Sequence, residues 1–139
     1  MAATLTISAS EVNTLIASPS TFTGYSSTKN IVINGDITYL QAKALSGVAS
    51  PSITATVAQT SVSNLKTITP LSGRTNAFTL TVNDITASAA DLNAVKALTT
   101  VTPNFGSVGT VTGFAADIKS LYTGTNATLG NEAINVSDT

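Results

Sequence analysis

The sequence predicts an α/β fold: a right-handed solenoid of about five strand–helix repeats, with a parallel β-sheet on one side. The first observation is a recurring phrase: a hydroxylated or acidic residue, two small residues, a polar residue and an aliphatic one. Its copies, some of them loose, begin at positions 8, 36, 61, 88 and 114, a step of 25 to 28 residues. The second observation is a run of alternating aliphatic residues and threonines ahead of the copies. Solenoid units built from one strand and one helix typically have this length.

Each copy of the phrase predicts the start of a helix. Ser8, Asp36, Ser61 and Ser88 can cap the first turn, and an acid three positions later, as in Ser8 to Glu11, completes a capping box. Each helix lasts about two to three turns and must pack on a sheet, because so short a helix is unstable alone. Aliphatic residues follow each start at helical spacing: Val12, Leu15 and Ile16; Leu40 and Ala44; Leu65 and Ile68; Leu92, Val95 and Leu98; Ile118 and Leu121.

The alternating runs predict the strands, at residues 5–7, 31–33, 53–57, 78–82, 108–111 and 133–136. Aliphatic side chains would face the helices, and the threonines between them would face outward. Parallel strands with helical crossovers fit either a solenoid or a doubly wound domain. Strands buried on both faces read as near-continuous Val, Ile and Leu, so the alternation with Thr favours the solenoid. Turns are predicted at Asn34-Gly35, Ser72-Gly73 and Thr123-Gly124.

Residues 1–139 are predicted to form a single repeat domain, which we expect to be part of a longer array. The last run, residues 133–136, has no helix after it, and the next copy of the phrase is due at about position 140. An irregular C-terminal capping strand is the alternative.

The composition excludes several classes of function. The net charge is −1, only 9% of the residues are charged, and Lys and Arg form no run, so no nucleic-acid partner is expected. No apolar stretch approaches the length of a membrane span, so no membrane insertion is expected. Cysteine and histidine are both absent. Disulfides and thiolate or imidazole metal sites are therefore excluded, and we predict no cofactor and no metal.

The carboxylates are predicted to be structural. Glu11, Asp91 and Asp117 share one offset from the helix starts, which favours capping over a recurring cation site. A glycosidase would need two carboxylates at a defined separation, and nothing in the spacing indicates such a pair. The many Ser and Thr residues have no His to activate one of them as a nucleophile. Arg74 and the loop aromatics are predicted to pack under the long loops.

The outward-facing threonines form the most interesting predicted surface. A flat array of Thr could bind ordered water or a saccharide, although Thr also suits any exposed strand face through its β-propensity and cross-strand pairing. The residues of this possible surface-binding face are Thr6, Thr54, Thr56, Thr79, Thr81 and Thr110.

Residues 82–95 resemble units in very large bacterial, often cyanobacterial, surface proteins. Residues 60–66 and 129–133 are similar to segments of the same arrays. The architecture is also similar to that of leucine-rich repeats, without their Leu/Asn consensus. The resemblance implies an extracellular or cell-surface location and a role in adhesion, matrix or surface layers, and it transfers no catalytic residue.

The predicted function is therefore that of a structural or adhesive repeat module without catalysis. Its expected partners are neighbouring repeats, or copies of itself, that meet its open sheet ends. The alternative is a ligand-binding module that uses the Thr face to bind extracellular polysaccharide or ice. A third reading is a polysaccharide-active enzyme.

Overall fold

The computed structural model describes residues 2–123 and 128–138, which form a mixed α/β fold with two parallel sheets. The first sheet contains β1 (Thr4–Ser8), β2 (Asn30–Ile37), β3 (Ile53–Val57) and β4 (Ala77–Thr79). The second contains β5 (Thr86–Ser88), β6 (Thr110–Gly113) and β7 (Ala133–Val136). The helices are α1 (Val12–Ala17), α2 (Tyr39–Leu45), α3 (Val62–Leu65), α4 (Ala89–Lys96) and α5 (Ala115–Tyr122). Short 3₁₀ turns occupy Ala9–Glu11 and Pro19–Thr21.

The strands of each sheet follow one another in chain order, and every pair is parallel. The separation along the chain between paired residues ranges from 20 positions, for Asp36 with Thr56, to 26, for Thr4 with Asn30. A parallel pair needs a crossover between its strands, and each of the five helices α1 to α5 lies in such a crossover. The predicted α/β class with parallel strands is confirmed.

The region between the two sheets differs from the prediction. The predicted strand 78–82 contains only the end of β4, followed by isolated bridges from Thr81 to Asn104 and from Val82 to Thr60. The strand β5 was not predicted, and β6 begins two residues later than expected, at Thr110. Leu80 and Val82 are nonetheless fully buried. The apolar alternation therefore identified the buried side chains correctly, while the backbone of residues 80–83 bonds Thr60 and Asn104 through isolated bridges rather than as one continuous strand.

Three helices begin where the phrase predicts: α3 after Ser61, α4 after Ser88 and α5 after Phe114. The amide of Asn64 donates to Ser61 Oγ at 3.3 Å, and the amide of Asp91 donates to Ser88 Oγ at 3.2 Å. These bonds satisfy backbone N–H groups that have no partner inside the helix. At Ser8 the chain first makes a 3₁₀ turn and α1 follows from Val12.

The second predicted helix start, Asp36, is wrong. The Asn34-Gly35 pair was read as a turn, but Gly35 has φ +95° and lies in a bulge within β2, where the register with β3 shifts. Glycine tolerates this backbone conformation, so the strand continues through Asp36 to Ile37. The cap is Thr38, whose Oγ1 accepts the Gln41 amide at 3.2 Å while Gln41 Oε1 accepts the Thr38 amide at 2.9 Å.

This two-residue shift also rotates the apolar stripe of α2. Ala42 and Leu45 are fully buried, whereas Leu40, which was predicted to face the core, is 59% exposed. The predicted turn at Ser72-Gly73 is present. Gly124, in the third predicted turn, lies outside the described residues.

One helix takes its cap from a distant part of the chain. Phe114, at the start of α5, offers no side-chain acceptor, and Asp138 Oδ2 instead accepts the Ala115 amide at 3.0 Å. Asp84 Oδ2 accepts the Val62 amide of α3 at 2.6 Å in the same way, in addition to the Ser61 cap. Both acids lie 22 to 23 residues further along the chain than the amides they bind.

The core lies between the sheets and the helices as one cluster that extends from Ile7 to Leu121. In β3 the burial alternates strictly: Ile53, Ala55 and Val57 are buried, and the threonines between them are exposed. The helices contribute residues spaced three apart, such as Val12 with Leu15 and Leu92 with Val95, as expected for an apolar stripe. None of the described helices is long and apolar enough to cross a bilayer.

Candidate functional site

Three of the six predicted face residues lie close together on the outer side of the first sheet. Thr54, Thr56 and Thr79 are exposed, and Thr56 pairs laterally with Thr79. Laterally paired residues of parallel strands point to the same face. Thr6 is also exposed, but β2 lies between it and Thr54, because both residues pair with Val32.

The other two predicted residues belong elsewhere. Thr81 is half-buried and bridges Asn104 beyond the end of β4. Thr110 lies in the second sheet, between Thr86 and Ala133. The structure therefore forms no single array of six threonines. The second sheet carries a separate hydroxyl-bearing patch, which the sequence reasoning missed because it did not predict β5: Thr86, Ser88, Thr110 and Thr112.

The carboxylates are mostly occupied by bonds inside the fold. All seven lie within the described residues, and five of them accept a hydrogen bond from a backbone amide, a hydroxyl or a lysine: Glu11, Asp84, Asp91, Glu132 and Asp138. Asp91 corrects one detail of the prediction. Its carboxylate binds Lys66 at 2.5 Å rather than returning to the Ser88 amide. Within residues 2–123 and 128–138, no group of three or more acids is arranged to hold a metal ion.

Glu11 is the acid that most clearly supports a helix start. Its Oε2 accepts the Ser8 amide at 2.8 Å and the Ser8 hydroxyl at 2.9 Å. These two bonds, the backbone bond first, lower the pKa of Glu11 from its ordinary value, because they favour the charged form.

A pH dependence follows from this lowered pKa. A carboxyl group with a lower pKa in the folded state stabilises the protein above its unfolded pKa, and that stabilisation disappears as the pH falls through the folded pKa. We therefore expect Glu11→Gln to lower the melting temperature at about pH 7 and to have less effect at about pH 3, because that pH lies below the unfolded pKa and the stabilisation decreases as the pH falls toward the folded pKa. Thermal unfolding at both pH values measures this, and an equal deficit at both would contradict it.

Arg74 and Tyr25 both donate hydrogen bonds to backbone carbonyls of the loop 46–50. The Arg74 guanidinium donates to the carbonyl oxygens of Ser46 at 2.5 Å, Val48 at 2.6 Å and Ser50 at 3.0 Å. The Tyr25 hydroxyl donates to the Ala49 carbonyl at 2.7 Å. Burial lowers the pKa of Arg74, and Tyr25 partly opposes that shift. These hydrogen bonds therefore connect the loop 46–50 to the segments that carry Tyr25 and Arg74.

The helices are joined to one another by a recurring polar contact. Gln41 Nε2 donates to Asn13 Oδ1 at 3.1 Å, between α2 and the helix before it. Lys66, which directly follows α3, forms the ion pair with Asp91 of α4. Asn93 Nδ2 of α4 donates to the Asp117 carbonyl of α5 at 2.9 Å. Each contact links one helical segment to the next along the chain.

The two ends of the described fold differ in shape. At the first end, a groove of about 440 Å³ opens beside β1 and is lined in part by Leu5, Ile7 and Phe22. At the other end lies β7, the final strand of the second sheet. Its Ile134 and Val136 are 45% and 50% exposed.

Comparison with protein-family models, with curated proteins and with solved structures gives no match to this chain.

Proposed function

We propose that the chain is a right-handed solenoid of five strand–helix coils that serves as a structural or adhesive module of an extracellular bacterial protein. The observation that supports this most is the nearly constant separation along the sequence between residues that contact each other. Strand pairs join residues 20 to 26 positions apart, and contacts between helices join residues 24 to 28 apart. Each coil therefore contacts mainly its neighbours, as the units of a repeat array do.

The side chains support a mechanical role over a catalytic one. Carboxylates that could act as acids or bases instead accept bonds at helix starts or pair with a lysine, as Asp84 and Asp91 do. Arg74 is likewise used to hold a loop. Charged side chains that connect neighbouring coils stiffen the stack. The outer surface that remains is rich in hydroxyl groups.

The proposed location can be tested on intact cells of the source organism. Antibodies against the chain should label cells that have not been permeabilised, and mild protease treatment of intact cells should remove the signal. Deletion of the gene should change cell aggregation or attachment without changing growth on soluble nutrients. Labelling that requires permeabilisation would overturn the proposed extracellular role.

The second candidate function is binding of polysaccharide or ice, and the cluster of Thr54, Thr56 and Thr79 favours it. Hydroxyl groups at strand spacing on a flat face could match a periodic ligand. A glycan array and a thermal-hysteresis assay test this on the intact chain. A signal that is lost in Thr56→Lys/Thr79→Lys and retained in Thr110→Lys would support it, and silence in both assays would remove it.

A further inference from the structure

We propose that copies of this chain stack head to tail, with the β7 end of one copy against the β1 end of the next, in a register that pairs Lys119 with Glu11 of the next copy. This inference rests on the proposed function, since it continues the stack of coils from one chain into another. The arrangement follows a positional rule that the chain already uses internally.

The rule becomes visible when residues are counted from each helix cap. The fifth residue after one cap contacts the third residue after the next cap. Asn13, five after Ser8, bonds Gln41, three after Thr38. Lys66, five after Ser61, bonds Asp91, three after Ser88.

The rule also holds at the last junction, where Asn93, five after Ser88, bonds the carbonyl of Asp117, three after Phe114. At the remaining junction Lys43 and Asn64 occupy the two positions, and Asn64 bonds Thr60 instead. Three of the four junctions between described helices therefore use the same pair of positions.

At each end of the described fold, one residue occupies a position of the rule but has no neighbouring helix there to contact. Glu11, three after Ser8, is the position that a preceding coil would contact. Lys119, five after Phe114, is the position that a following coil would contact. Both residues are exposed, and they repeat the acid and the lysine of the pair between Lys66 and Asp91. The bonds from Ser8 favour the charged form of Glu11.

Apolar surface at the two ends points to the same arrangement. Ile134 pairs laterally with the buried Val111, so it faces the core side of its strand and yet remains half-exposed. The opposite end offers the groove lined by Leu5 and Phe22. An edge strand also presents unpaired backbone groups that another chain can join.

The occupant that fits these features is a second copy in the same orientation. A two-fold dimer that joined the β7 ends would place both copies of Lys119 in one interface without a Glu11 to pair with either, and like charges in one interface oppose association. Head-to-tail stacking places opposite charges together and leaves a free end on each side. Such a heterologous contact propagates into an open chain of copies rather than a closed dimer.

Sedimentation velocity on the intact chain, with charge reversals at the two ends, tests the proposal. Wild type should form a series of oligomers whose size increases with protein concentration, and its association should weaken as salt is added. Lys119→Glu alone and Glu11→Lys alone should each associate about three- to tenfold more weakly, because each variant brings like charges together. Lys43→Glu is the matched control, because it makes the same charge change as Lys119→Glu at a junction between two coils of one chain. It should associate like wild type.

An equimolar mixture of the Lys119→Glu and Glu11→Lys variants is the decisive experiment. In an equimolar mixture, the acid introduced at position 119 of one variant meets the lysine introduced at position 11 of the other, and the unchanged Lys119 and Glu11 meet at the next junction. Association should therefore return to the wild-type level in alternating copies, and recovery also shows that both variants are folded. Wild type that stays monomeric up to about 1 mM, or a mixture no better than its components, would overturn the inference. The cell-labelling result for the proposed function would be unaffected by either outcome.

Discussion

Replacing Phe78 with alanine should lower the free energy of unfolding by about 3–5 kcal/mol, the cost of removing a buried aromatic ring and leaving a cavity. Phe78 is fully buried in β4 and belongs to the continuous core. Its lateral neighbour is Ala55, whose small side chain cannot extend to fill the space. The loss should therefore lie at the upper end of what a single substitution costs.

Urea unfolding of the two forms measures this difference. Thr79→Ala is the matched control, because it changes the next residue of the same strand, which is exposed. Its effect should stay within about 0.5 kcal/mol. A Phe78→Ala variant as stable as Thr79→Ala would contradict the position of β4 over the core.

Replacing Arg74 with methionine should lower the free energy of unfolding by about 2–3 kcal/mol. The substitution keeps most of the aliphatic stem but leaves three carbonyl oxygens of residues 46–50 without their charged donor. Ser46 is the C-cap of α2, where a cation is favourable. Arg74→Lys should recover part of the loss, because an ammonium group carries the charge without the planar fork of donors.

Thermal and urea unfolding of the three proteins test this order of stability. Lys43→Met is the matched control: it removes a positive charge from the exposed side of α2 and should change stability by less than about 0.5 kcal/mol. Equal effects of Arg74→Met and Lys43→Met would show that the bonds to the loop 46–50 contribute no net stability.

Local signals in the sequence predicted the parallel α/β class, most strands and three helix starts correctly. Ser61 and Ser88 were readable as caps because their acceptor oxygens and the amides they bind are only three residues apart. The alternation of apolar residues in β3 likewise reports burial directly. In these segments the physical cause and its effect lie within a few neighbouring residues.

Features that depend on contacts with distant parts of the chain could not be predicted. Asp84 and Asp138 cap helices that begin 22 to 23 residues earlier, and no local pattern marks them. The wrong helix start at Asp36 has a related cause, since Asn34-Gly35 has the composition of a turn but forms a bulge beside β3. Local composition does not determine which strand lies alongside.

The candidate binding face was predicted only in part for the same reason. Alternation placed Thr54, Thr56 and Thr79 on an outer face, but their adjacency depends on the register between β3 and β4. Register also places Val32 beside both Thr6 and Thr54. The missed strand β5 concealed the hydroxyl groups of the second sheet.

Cysteine cross-linking tests the proposed stacked-coil arrangement most directly, because the 139-residue sequence contains no cysteine. Neighbouring strands lie about 4.8 Å apart, within the Cα separation of about 4.4–6.8 Å that a disulfide spans. Thr56→Cys/Thr79→Cys, on neighbouring strands, should therefore close into an intramolecular disulfide during mild oxidation at low concentration. Thr6→Cys/Thr79→Cys, three strand spacings and hence at least about 14 Å apart, should stay reduced. Closure of the distant pair with the neighbouring pair left reduced would contradict stacking in chain order.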